Sequence, residues 1–320
     1  MRSARQIKLF AINAFRFIAA FAVMYFAIVF ILCKVQVSGK PLIYRACQGI
    51  AWKGGYTYER FREFRGDENY DILIFGSSRA NRAINPRVLE QHGYSSYNLA
   101  TDDQTPFNTD LLIHQYVKEG KCKLALIDVY DKVFSQPDLE STVDLVQNVN
   151  ENDAAWKMAF ASKDIRALNS FCVRMMLHNA KPDYEAETDL YKGYRELRSD
   201  SVSYSMNFLP YRNGMRNLKA LKRTISYLQS IHIPCVLISQ PMIFYKRPAN
   251  HNLFLNDLIP MLKEMNVPFY DFTNNESIIT RYDYADECHL DAKGAEQYSK
   301  FIAEKIIPLY LSPANKEAQW

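Results

Sequence analysis

Two segments far apart in the chain carry side chains of the types that acyl chemistry uses. The first, Asp71-Ile72-Leu73-Ile74-Phe75-Gly76-Ser77-Ser78, is an apolar run closing in a Gly-Ser-Ser turn. The second, Asp286-Glu287-Cys288-His289-Leu290-Asp291-Ala292-Lys293-Gly294, brings an acid, a histidine and a helix start together. A serine hydroxyl is a weak nucleophile at its free pKa. It needs a base within hydrogen-bond reach, and the base needs a third group to orient it. Ser78, His289 and Asp286 supply these three parts, with Ser77 as a neighbouring choice of nucleophile and Asp283 as a second orienting carboxylate. The bland alternative is a pair of serines capping a helix and an ordinary turn histidine.

The chain has six histidines, at 92, 114, 178, 232, 251 and 289, and only His289 has an acid three residues before it and a helix start just after. On a tight turn that spacing sets a carboxylate against the imidazole, which fixes the tautomer and supports the imidazolium formed in catalysis. Arg79, Asn81 and Arg82 follow the nucleophile, where they either contact an anionic substrate or lie on a solvated helix face. Gln240 and Tyr245 follow a later strand and are expected at the same edge. Cys288 is a redox-sensitive thiol or, more simply, a filler. No P-loop, GxGxxG, HExxH or EF-hand pattern is present, and no metal or organic cofactor is expected.

The elements that must position these residues alternate. Ile72 to Phe75, Tyr97 to Ala100, Leu124 to Val129, Pro234 to Ser239 and Val267 to Asp271 read as strands, the first a continuous apolar run of the kind buried on both faces. Helices are expected near 86–90 and over 109–118. A further helix carries Leu218, Leu221, Ile225 and Leu228 on one face. Two more are expected over 252–265, despite Pro260, and from Asp291, a good N-cap, to about Ile307. Alternating strands and helices predict a parallel sheet with helices on both faces, and ligands in such a sheet bind beyond the carboxyl ends of the strands. Residues 136–212 break the alternation with helical patches at 153–161 and 165–177 and a polar stretch containing Tyr184, Tyr191, Tyr194, Tyr204 and Tyr211. We read this as an insertion over the ligand-binding edge, either a lid or structural padding.

At 320 residues with 48% hydrophobic residues the chain can bury a sizeable core. The net charge is +4, with Arg2, Arg5 and Lys8 at the extreme N-terminus, so the charge makes no case for nucleic-acid binding. Six cysteines without a CxxC pair argue against a zinc ribbon and a disulfide framework. Phe17 to Cys33 is an uncharged run of 17 residues, extended upstream by Leu9 to Ala14. A spanning helix needs about 17–25 residues. The run is long for a signal peptide, and no A-x-A cleavage site follows it. Positive charge ahead of it favours a cytoplasmic N-terminus and an exported body. The expected layout is 1–8 cytoplasmic, 9–33 transmembrane anchor, 34–70 juxtamembrane linker whose basic, aromatic stretch Tyr56 to Arg62 reads as a packing helix or, less simply, a membrane-surface contact, 71–310 α/β domain with its insertion, and 311–320 a C-terminal tail. That is a single-pass protein of the cell membrane with its main domain outside the cytoplasm.

Gly76-Ser77-Ser78 after a strand, and Asp286 and His289 followed by Leu290-Asp291-Ala292-Lys293-Gly294, resemble the first and last sequence blocks of the SGNH (GDSL-like) hydrolase superfamily. The resemblance covers about 71–307 apart from the insertion. It is nearest to membrane-anchored members resembling the teichoic-acid D-alanylation protein and polysaccharide O-acetylation proteins. It implies a flavodoxin-like three-layer α/β/α sandwich, with Ser78 as nucleophile, His289 as base, Asp286 as its orienter, and the N–H groups of Ser78 and Ala100 as the oxyanion hole. Two departures bear on activity. Asn98-Leu99-Ala100 has alanine where the family's second block has glycine, and Asp128-Val129-Tyr130-Asp131 lacks the third block's asparagine, leaving the Tyr130 hydroxyl as a replacement donor. One lost oxyanion donor costs roughly 100- to 1000-fold in rate.

The expectation is a membrane-anchored serine esterase or O-acyltransferase acting on an acyl ester of an envelope glycan, a polymer or a lipid-linked substrate, with Asn98, Arg79, Tyr130 and Gln240 as substrate contacts. The alternative is a non-catalytic accessory protein of the same fold that binds a glycan or a membrane acyltransferase.

Overall fold

The computed structural model describes residues 2–47, 50–186, 190–198, 211, 214–242, 248–273, 275, 277–280 and 282–311. Tyr204, Tyr245, parts of the insertion and residues 312–320 lie outside the described residues. Five parallel strands form the central sheet: β1 (Tyr70–Phe75), β2 (Ser96–Asn98), β3 (Cys122–Asp128), β4 (Cys235–Ser239) and β5 (Phe269–Asp271), in the spatial order β2-β1-β3-β4-β5. That is the doubly wound, flavodoxin-like order. The register pairs Ile74 with Asn98 on one side and with Leu126 on the other, so the carboxyl ends of β1, β2 and β3 finish level.

The three central strands, β1, β3 and β4, are apolar on both faces because both faces are covered. Leu73, Phe75, Ala125, Ile127 and Leu237 point into one core, packed by α4 (Pro106–Tyr116), α8 (Met215–Ser230) and α9 (Pro248–Glu264). Ile72, Ile74, Leu124, Leu126, Val236 and Ile238 point into the other, packed by α3 (Ser78–Ala83) and α10 (Ala292–Phe301). Each fully buried aliphatic side chain contributes about 1.5–3 kcal/mol. The pattern therefore fixes the three layers and, with them, the edge at which both chemistry-bearing segments emerge.

Between β3 and α8, the insertion builds α5 (Leu139–Asn148), α6 (Asn152–Ala161), α7 (Ile165–Met176) and a small antiparallel hairpin pairing Tyr191 with Tyr194. α5 and α6 contribute Leu145, Val146, Ala154, Ala155 and Met158 to the first core. The segment 34–70 carries a packed helix. Its helix α2 (Gly55–Glu63) buries Phe61 in that core and holds the Arg60 guanidinium, fully buried, on the Gly193 carbonyl. The N-terminal helix α1 (Arg2–Lys34) is long and apolar enough to cross a membrane. Its last turns pack Val29 and Cys33 against Trp52, Val173 and Leu177.

Candidate active site

β1 ends at Phe75, and Gly76 turns the chain with φ 144°. A Cβ there would lie 3.0 Å from the Asp128 Cβ at the end of the adjacent β3, so only glycine lets the two strand ends approach this closely. Ser77 is buried, and its Oγ accepts from the Arg79 N–H, capping α3. This use of Ser77 leaves Ser78, the first residue of α3 and half-buried, facing the crevice. The Ser78 N–H donates to none of the described residues.

The second segment arrives from the far end of the chain on a tight loop. Tyr284 bridges to Leu290, the Ala285 N–H donates to the His289 carbonyl, and the Asp291 N–H donates to that of Asp283. Asp291 then caps α10 by accepting from the Gly294 N–H. Gly294 lies so close to the Asp283 carbonyl that a side chain there would clash with it. Asp283 is fully buried and accepts from Thr280 and Lys293. Its carboxylate is therefore committed to holding the loop and is not an orienter of His289.

The two segments meet. Ser78 Oγ lies 2.8 Å from His289 Nε2, and His289 Nδ1 lies 2.7 Å from Asp286 Oδ2. The other carboxylate oxygen of Asp286 accepts the backbone N–H groups of Cys288 and His289, both at 2.9 Å. Burial opposes ionisation of Asp286, but the hydrogen bond and charge of His289 and the two backbone donors hold its pKa at about 2. An ionised Asp286 only accepts, so Nδ1 of His289 carries the proton and Nε2 is free to accept from Ser78. Burial, the largest influence on His289, pushes its pKa below 6.5. The Asp286 hydrogen bond opposes that shift and the Arg82 charge adds to it. The imidazole is thus neutral at neutral pH, the state a general base requires.

The residues expected to touch substrate are placed differently. Arg79 is fully buried, donates to the Gln240 carbonyl and stacks over the Tyr130 ring at 4.4 Å. It is neither solvated nor open to a substrate. Gln240 is buried with it, its N–H donating to Asp128 at the tip of β3. Asn98 is fully buried and structural: its amide donates to the Ala80 and Ile84 carbonyls, and its Oδ1 accepts from the Ala100 N–H at 3.1 Å. That last bond occupies the donor expected of Ala100 in an oxyanion hole. The adjacent Leu99 and Thr101 N–H groups are likewise engaged, with Ile74, Gly76 and Gln104. Tyr130 is almost wholly buried beneath Arg79, and burial raises its hydroxyl well above the usual range.

One residue at the site has a role that sequence reasoning undervalued. Arg82 lies one helical turn from Ser78 on the same face of α3. Its side chain is only 14% exposed and its charge acts on His289. Asp102 faces it at 3.7 Å and also takes Asn81 and Arg195, the latter reaching in from the insertion's hairpin. The i, i+4 spacing from Ser78 was the available signal. Beside this edge lies a cavity of about 810 Å³, bounded by Asp103 and Lys132 near the site and by Val143, Asn169 and Val173 of the insertion. Asp286, Cys288 and His289 also bring three metal-ligating atoms within 4.8 Å of one another. Burial pushes the Cys288 thiol up to about 12, away from the thiolate a metal would bind.

No protein-family model matches the chain and no curated protein matches it. Among solved structures the chain is similar to a GDSL-like lipase from Bacteroides thetaiotaomicron (10% identity over 72% of this chain and 84% of that one, TM-score 0.36). It is also similar to a lipase/acylhydrolase from Enterococcus faecalis (12%, 74% and 94%, TM-score 0.39). A third is a catalytic mutant of an acetylxylan esterase from Geobacillus stearothermophilus (10%, 73% and 93%, TM-score 0.39). Its neighbours are thus GDSL-like acylhydrolases and acetylxylan esterases. At these identities and TM-scores the likeness assigns no activity, and the chemistry rests on the site's own geometry.

Proposed function

We propose that this chain is a membrane-anchored serine esterase or O-acyltransferase of the SGNH type. The observation that carries the reading is the continuous relay from Ser78 Oγ through His289 to Asp286, with links of 2.8 and 2.7 Å. Ser78 Oγ attacks the carbonyl carbon of an acyl ester while His289 Nε2 takes its proton. The tetrahedral intermediate collapses as His289 returns that proton to the leaving alkoxide, leaving the acyl group on Ser78. Water or a sugar hydroxyl then gives its proton to His289 and bonds to the acyl carbon, and His289 passes that proton to Ser78 Oγ as the acyl–Oγ bond breaks. Asp286 holds the tautomer and faces the imidazolium in each half-reaction. The Ser78 N–H is the open backbone donor for the oxyanion, and Arg82 supplies positive charge in place of the absent asparagine. Helix α1 is the anchor in this reading, with Arg5 and Lys8 on the cytoplasmic side. The substrate is an acylated glycan, polymer or lipid-linked molecule at the outer face.

The engaged Ala100 N–H favours a second reading, a non-catalytic accessory protein that binds a glycan or a membrane acyltransferase. Fluorophosphonate labelling of the full-length chain in detergent separates the two. The enzyme reading expects labelling of the wild type that is abolished in Ser78→Ala and His289→Ala. A folded wild type that takes no label leaves the accessory role.

A further inference from the structure

The cavity of about 810 Å³ beside the reaction edge is walled mainly by the insertion and by the segment before β1. One end is formed by Asp103, in the loop after β2, and Lys132, just beyond β3, both at the carboxyl edge of the sheet from which Ser78 emerges. Lys132 is near enough for its charge to act on Cys288, whose Sγ lies 3.6 Å from His289 Nδ1. From there the cavity follows α5 and α7 to Trp52 and Val173, which pack on the last turns of α1. It is a groove that starts beside the reacting groups and leads away from them.

What the groove offers a ligand is mostly apolar. Ile50, Trp52, Leu139, Val143 and Val173 contribute hydrocarbon and an indole to its wall. The polar residues of the wall are bonded within the protein. Lys132 Nζ and Gln136 Nε2 donate to Asp103 at 3.3 and 2.7 Å. Asn169 Oδ1 accepts from Tyr25, Ser170 accepts from Gln147 Nε2, and Arg166 forks onto Asp164. The Trp52 indole N–H donates to the Cys47 carbonyl. A sugar placed here would give up its hydrogen bonds to water and find few in return. A hydrocarbon chain has none to lose and gains by leaving water. The volume also falls in the range of about 300–1,000 Å³ that small-molecule sites occupy.

We propose that this groove is the hydrocarbon-chain subsite of the Ser78 site, so that the ester is of lipid type, with an unbranched alkyl chain on one side of the ester bond. This rests on the serine reading given above. The insertion is then a specificity element: its helices α5 and α7 wall the subsite, and Val143, half-buried on α5, is the wall residue at which chain length is most simply tested.

The test gives the full-length chain, in nanodiscs to avoid competing detergent, two series of esters: nitrophenyl esters from acetate to octanoate, and acetates from ethyl to octyl. Pro137, Glu140 and Arg166 in the wall are exposed, so each CH2 is only part-buried. The expected result is a kcat/KM, referred to free ester, that rises roughly twofold per CH2 in one series. Which series responds shows whether the chain belongs to the acyl group or to the alcohol. Val143→Trp fills the groove and Val143→Asp puts a charge in its wall, and in both the ratio of long-chain to short-chain turnover is expected to fall towards one. The ratio is read rather than the rate, so a loss of folded protein cancels. Wild-type rates indifferent to chain length in both series overturn the proposal. So does a ratio that both variants leave unchanged, which would put the chain elsewhere. In either case fluorophosphonate labelling of Ser78 persists and the serine reading stands. Absence of both label and turnover rejects the serine reading itself, and this inference with it.

Discussion

At the scale of single residues, the site depends on His289 being neutral while Asp286 is charged. Below its pKa His289 carries a proton and cannot accept another from Ser78, so kcat/KM must fall as pH drops through that value. Burial and the Arg82 charge lower the pKa, so the acid limb of the wild-type profile is expected below pH 6.5. Replacing Arg82 with Gln removes a positive neighbour. The limb should then move upward towards the ordinary histidine range, and the plateau should fall because the oxyanion loses a charge. A pH profile of soluble-ester turnover in both proteins checks this, and an unshifted limb would mean that Arg82 does not act on His289. The spacing of Asp286 and His289 was enough to expect their contact, because three residues on a tight turn bring a carboxylate to an imidazole. Nothing in the spacing shows that Arg79 is buried. A charged residue after a nucleophile reads as solvated until the Gln240 carbonyl and the Tyr130 ring are seen to enclose it.

At the scale of elements, β1, β3 and β4 were legible because burial on both faces demands unbroken apolar runs, whereas β2 (Ser-Tyr-Asn) and the half-exposed edge strand β5 (Phe-Tyr-Asp) carry no such run. In the segment 34–70 the aromatic stretch pointed to a packing helix, but not to what it packs on, since its hold is made by Arg60 on a distant carbonyl and by Phe61 in the core. Asn98 is a similar case. An asparagine after a strand suggests a substrate contact, whereas here its side chain ties the end of α3 to the loop after β2. Asn98→Ala leaves the Ile84 carbonyl and the Ala100 N–H without a partner, while the Ala80 carbonyl keeps the Ile84 N–H, and each unpaired group costs about 1–3 kcal/mol. A fall in Tm of about 4 °C or more is expected for a domain of this size, measured by thermal unfolding in detergent. A shift within error would show that the tie is not structural.

At the scale of the whole molecule, two distant parts of the chain must converge for the site to exist, and the sheet order accomplishes this. β1 lies inside the sheet beside β3, so Gly76 and Ser78 emerge at its centre, and the loop before α10 folds over the same edge. The insertion adds Arg195 at the rim and the wall of the 810 Å³ cavity, and it also carries α7, which docks on α1. One insertion thus links the edge that carries Ser78 to the N-terminal helix. Its composition suggested either a lid or padding, and only the packing shows that it touches both. The most direct test of the account is to trap the acyl-enzyme. The full-length chain is treated with an activated acetyl ester, quenched in acid and mapped by peptide mass spectrometry. The account predicts an acetyl group on Ser78 that is absent in His289→Ala. A folded chain that carries no adduct, or carries it on Ser77 or Cys288 instead, would contradict it.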